Sequence, residues 1–88
     1  MTRSFSSELV LIFRGTHQVL SAEKALKGAK VPMRLIPVPR RLTSDCGLAI
    51  RIPAEARRRA REVLVSARIL PASAHLLQRD GEYVEEPL

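Results

Sequence analysis

"PMRLIPVPRRLTSDCGLAIRI", residues 32–52, holds two strand-like runs with no helical period between them. "PMRLIPV" (32–38) reads as one strand and "PRRLTSD" (39–45) as a polar, basic connection. "CGLAIRI" (46–52) is the next strand, with Leu48, Ile50 and Ile52 on one face. Pro37 has no N–H for a ladder bond, which places its strand at a sheet edge. Two strands joined directly, without an intervening helix, decide the topology once the flanks are read.

Upstream, "ELVLIF" (8–13) is a short apolar run closed by Gly15, the pattern of a buried strand. "THQVLSAEKALKGA" (16–29) then has a helical period, with Val19, Ala22, Leu26 and Ala29 on one face. Thr16 is the expected N-cap, and Gly28 lies near the expected stop. Downstream, Pro53 is placed to start a second helix over "AEARRRAREVLVSARIL" (54–70). Its inward stripe is Ala56, Ala60, Val63, Leu64 and Ala67, while Arg57, Arg58, Arg59 and Arg61 read as a solvated face. "SAHLLQR" (73–79) is a fourth strand, on which His75 is expected to carry no chemistry. Asp80-Gly81 is a type I′ turn pair, so the following "EYVE" either folds back as a short fifth strand or frays.

The order is β-α-β-β-α-β. Right-handed crossovers make strand 1 parallel to strand 2 and strand 3 parallel to strand 4. The economical solution is an α+β, ferredoxin-like sandwich: a four-stranded antiparallel sheet, order 4-1-3-2, with both helices on one face. Residues 8–79 form this domain, after a flexible N-terminus (1–7) and before an acidic C-terminal tail or short extra strand (80–88).

The chain has 88 residues, 45% of them apolar and 27% charged, which suits one globular domain with one modest core. Lysine plus arginine exceed aspartate plus glutamate by 15 to 9, a net +6, and "DGEYVEEPL" at the C-terminus holds four acids and no base. Such an excess suits an acidic partner, a small anion or nucleic acid. One cysteine excludes an intrachain disulfide and any multi-thiolate metal site, so neither metal nor cofactor is expected. The longest apolar run, Leu9 to Phe13, is far short of the ~20 residues a membrane span needs, and no secretory apolar segment opens the chain. These features lead to the expectation of a cytoplasmic protein without membrane contact.

The proposed topology gives Cys46 its neighbours. Strand 3 starts at the end of the sheet where strand 1 finishes, so Cys46 should lie beside the turn "RGTH" (14–17) that opens the first helix. A helix N-terminus offers unsatisfied N–H groups and partial positive charge. Gly15 would allow close backbone approach, Thr16 a hydroxyl and His17 a proton donor or acceptor. Arg14, Arg40 and Arg41 belong to the same end, and Gly47 and Ala49 would keep the neighbourhood open. A thiol set there should ionise more readily than a free one, whose pKa is ~8.5. Asp45 works against this. The other reading is a small apolar filler, because parity puts Cys46 on the face of Leu48, Ile50 and Ile52.

From about residue 9 to residue 80 the chain resembles a family of small domains described as selenium/sulfur carrier proteins. The marks are Thr16-His17, Ala22-Glu23-Lys24, Pro37, Pro39 and above all Cys46-Gly47-Leu48-Ala49. The resemblance implies a non-enzymatic carrier that holds sulfur or selenium on Cys46 as a persulfide or selenosulfide. It also implies donor and acceptor proteins as partners, with selenophosphate synthesis and carriers of the tRNA-thiolation type as related settings. The alternative is a non-catalytic small-anion or protein-binding module. RNA binding through the sheet is disfavoured, because two Phe and one Tyr leave few aromatics for base stacking. A metal chaperone on this fold would want two cysteines near the first loop, and a small-molecule sensor remains open. Strand 1 is apolar on both faces, Leu9, Leu11 and Phe13 on one and Val10 and Ile12 on the other. Two helices cover one face only, so a homodimer through the open face is expected.

Overall fold

A computed structural model describes residues 7–39, 42 and 47–88. The strands are β1 (Glu8–Ile12), β2 (Arg34–Pro37), β3 (Leu48–Pro53), β4 (Ser73–Leu77) and β5 (Tyr83–Glu86). The helices are α1 (Thr16–Gly28) and α2 (Arg57–Ala67), the latter preceded by a 3-10 turn at Ala54–Ala56. The class is α+β, as expected. The sheet, however, has five strands rather than four, in the order β2-β3-β1-β4-β5, every neighbour pair antiparallel. Residues 83–86 supply the added strand, and β2, with Pro37, is the opposite edge.

The main core lies between the helices and one sheet face. Leu9, Leu11, Ile50 and Ile52 from the sheet meet Val19, Ala22 and Leu26 of α1 and Ala60 and Leu64 of α2, all essentially inaccessible. The sequence spacing selects these residues because a strand repeats every two and a helix every 3.6. Ala67, assigned to the inward stripe, is exposed, and Val63 is half-buried. α2 ends at Ala67, so the stripe runs out with the helix.

The opposite face is not bare. Val10, Ile12 and Ala49 are buried within the chain, with Ile36, Val38, Leu42 and Tyr83 packed against them. A partner on this face is therefore not needed to cover strand 1, because side chains from β2, the segment after it and β5 already do so.

α1 stops at Gly28, as expected, and α2 stops at Ala67, short of the expected Leu70, but both stops are built in the same way. Val31 N–H donates to Leu26 C=O (2.9 Å) and Lys30 N–H to Lys27 C=O (3.0 Å), with Lys30 left-handed at φ 61°. Ile69 N–H donates to Leu64 C=O (2.9 Å) and Arg68 N–H to Val65 C=O (3.1 Å), with Arg68 at φ 61°. These are Schellman motifs, which pair a hydrophobe just past the helix with one in its last turn. Val31 and Ile69 play that part against Leu26 and Leu64, in one core cluster. The apolar contact fixes the stop, so Gly28 stays inside the last turn and a lysine takes the left-handed position.

Three further starts and turns are corrected. Gly15, extended at φ −158°, is the N-cap of α1, and Thr16 is its first helical residue. Pro53 ends β3 in an extended conformation (φ −63°, ψ 145°), with the 3-10 turn between it and α2. The β4–β5 loop is not a two-residue I′ turn, since Gly81 (φ 86°) is left-handed and Asp80 is not. Gly81 N–H donates to Gln78 C=O and Gln78 N–H to Glu82 C=O, as in a type I turn followed by a glycine bulge. The Asp80 side chain accepts from Glu82 N–H at 2.9 Å, which holds the loop.

Candidate functional site

The pairing Ile12↔Ala49 sets the geometry of the expected site, because it puts the exit of β1 and the entry of β3 at one end of the sheet. Arg14 lies two residues beyond Ile12, and Gly47 two residues before Ala49. The structure thus gathers the Arg14–His17 turn and Gly47 at that end. Phe13, between β1 and that turn in the chain, is buried in the main core, which fixes where the chain leaves the sheet.

The turn faces solvent. Arg14, Thr16 and His17 are exposed and Gly15 half-buried. The first turn of α1 has no acidic residue and no side-chain cap, so the partial positive charge of the helix start is not offset by its own residues. Gly15 is not needed for its freedom: its φ is one any residue adopts, and a Cβ there would meet nothing within 4 Å. Gly47 is different. It is exposed and left-handed at φ 74°, and since an added Cβ would again meet nothing within 4 Å, backbone conformation alone accounts for glycine. Its C=O accepts from Val38 N–H at 3.1 Å, which ties the start of β3 to the end of β2.

Cys46, Arg40 and Arg41 lie outside the described residues. Cys46 directly precedes Gly47 in the chain, and Arg40 and Arg41 fall in the connection between β2 and β3. Among the described residues, no group of three His, Cys, Asp or Glu side chains is placed to hold a metal ion. No helix among them is long and apolar enough to cross a membrane.

One polar contact was not anticipated. Ser73 Oγ and His75 Nε2 are 2.9 Å apart on β4, and Ser73 pairs with Ile12. The signal in the sequence was available, because residues i and i+2 of a strand share a face. A hollow of about 490 Å³ lies elsewhere, between Arg61, the 70–74 segment and the C-terminal residues Glu85 to Leu88.

No curated protein and no solved structure matches the chain. Residues 8–76, β1 through nearly all of β4, match the family described as "Putative Se/S carrier protein-like". With most of its domain covered by that match, the chain belongs to the Se/S carrier protein-like family.

Proposed function

We propose that the protein is a cytoplasmic sulfur or selenium carrier that holds the chalcogen on Cys46 and is not itself an enzyme. The observation that carries this reading is the family match, whose span from residue 8 to residue 76 includes the chain's one cysteine. The exposed, unopposed start of α1 at the same end of the sheet as Gly47 supports it, since an anionic cargo is favoured there. Arg14, with Arg40 and Arg41 from the β2–β3 connection, would supply the cations that hold the cargo or an acidic partner.

In loading, the Cys46 thiolate attacks the outer sulfur of a donor persulfide. A new S–S bond forms at Cys46 Sγ, the donor's S–S bond breaks, and its electron pair leaves on the donor thiolate. Delivery is the same step reversed: an acceptor thiolate takes the terminal sulfur and Cys46 leaves as thiolate. No net oxidation occurs in either step. For selenium, the Cys46 thiolate displaces one thiolate from a bis(thiolato)selenide, forming an S–Se bond.

Intact-protein mass spectrometry tests this. The chain is incubated with a cysteine desulfurase plus cysteine, and separately with selenite plus glutathione, beside Cys46→Ser. A gain of one sulfur, or of selenium with its thiol, on the unaltered chain alone is the expected result. No adduct, together with alkylation of Cys46 no faster than that of a free thiol, overturns the proposal and leaves the anion- or protein-binding module.

A further inference from the structure

The two edges of the sheet are built differently. Val38 N–H bonds Gly47 C=O in the register that pairs Ile36 with Ala49 and Arg34 with Arg51. Hydrogen-bonded pairs alternate along an antiparallel ladder, so Arg34, Ile36 and Val38 turn their backbone groups toward β3. Leu35 and Pro37 turn theirs outward, and Pro37 has no N–H to offer. That edge is blunted.

At β5 the same reasoning gives the opposite answer. Gln78 N–H bonds Glu82 C=O in the register that pairs Leu76 with Val84 and Ala74 with Glu86. Glu82, Val84 and Glu86 therefore face β4, and Tyr83 and Glu85 each direct an N–H and a C=O outward. Neither is proline, and between them Val84 is 40% exposed on the helix side of the sheet.

We propose that this edge pairs with a second copy of the chain, β5 to β5 antiparallel about a twofold axis through Val84, to give a ten-stranded sheet. The register is self-complementary. With Val84 opposite its own copy, Tyr83 of one chain stands opposite Glu85 of the other, and the two pairs make four main-chain hydrogen bonds. The exposed valines meet at the axis. Glu82 then falls opposite the other copy's Glu86, an acidic pairing that opposes association. Arg57 of α2, which is ion-paired with Glu86, sits where it offsets that repulsion. The interface is short, so the dimer is weak, and salt tightens it by screening the carboxylates.

Sedimentation equilibrium on the full chain from micromolar to millimolar concentration reads the outcome. The unaltered chain is expected to move from monomer toward dimer, more so at high salt. Glu85→Pro removes one outward N–H per copy and no bond to β4. Two lost bonds weaken the dimer about thirtyfold, or ~2 kcal/mol at 1.4 kcal/mol per tenfold. Glu85→Gln keeps the N–H and loses the charge, so it should dimerise at least as well as the unaltered chain. Val84→Asp, at an exposed position that leaves the fold intact, should abolish the dimer. A monomer at every concentration, or a dimer indifferent to Glu85→Pro and Val84→Asp, overturns the proposal.

Discussion

Replacing Gly47 by alanine separates backbone strain from crowding at the end of the sheet where β3 begins. Gly47 has φ 74° and nothing within 4 Å of an added Cβ, so the new methyl group clashes with no neighbour. The cost is conformational: an L-residue in the left-handed region loses ~1–2 kcal/mol. Alanine also restricts the unfolded chain, which returns ~0.4–1 kcal/mol to the folded state. The net is a destabilisation of about 1 kcal/mol, which for a domain of this size lowers Tm by about 4–8 °C. Gly15→Ala is the matched control, because that position is equally open but extended at φ −158°. There the unfolded-state gain is set against alanine's poorer N-cap, and the net should be within ~0.5 kcal/mol of zero. Urea unfolding followed by far-ultraviolet circular dichroism measures both. Equal effects at the two glycines, or a more stable Gly47→Ala, would refute the assignment of Gly47 to a conformational role.

The other predictions use the same measurement. Lys30→Gly and Arg68→Gly should each stabilise by up to ~1 kcal/mol, since both lysine and arginine sit at φ 61° where glycine bears no Cβ penalty; a loss at both would argue against the Schellman stops. Leu64→Ala should cost ~2–5 kcal/mol, because Leu64 is wholly buried between α2 and the sheet. Ala67→Ser, one turn on and exposed, should stay within ~0.5 kcal/mol. Arg57→Met should change stability by less than ~1 kcal/mol, because the Arg57–Glu86 pair is about one-third exposed and methionine removes a buried Nε without a partner.

The parts of this fold that were legible are those where burial alone sets the residue type. "ELVLIF" and "GLAIRI" are apolar because β1 and β3 are central strands, and Pro37 marks an edge because its missing N–H would face solvent there. The stop of α1 near Gly28 was legible, but what makes it was not. Gly28 looked like a terminator, yet Val31 on Leu26 and Ile69 on Leu64 decide where the helices end, and a lysine and an arginine accept the left-handed position as a consequence. At the candidate site the sequence brought the Arg14–His17 turn and Gly47 to one end of the sheet, because strand register follows from topology. It assigned freedom to Gly15, where none is required, and gave Gly47 only the part of keeping the neighbourhood open, whereas its left-handed φ is what calls for glycine. The Ser73–His75 contact was likewise missed, since alternate polar residues on a half-buried strand are common and only coordinates show that they touch.

The C-terminal segment shows how composition can mislead about architecture. Four acids and no base in nine residues look like a solvated tail. Yet within it Tyr83 packs on the small cluster with Val10, and Leu88 packs on the large one beneath the helices. With Tyr83 of β5 anchored on one face and Leu88, two residues past the strand, on the other, β5 cannot slip by one residue without withdrawing both. The register of β5 is therefore fixed by two side chains, and its acids occupy the positions left over. The family match ends at residue 76, just before this strand. Without β5, the backbone groups of Ala74 and Leu76 would form the open edge, beside the main core. Adding β5 moves that edge outward and gives it charge, which is how natural sheets keep exposed edges from indiscriminate pairing. What remains open, the groups of Tyr83 and Glu85 around one exposed valine, is an edge narrow enough to select a partner by register.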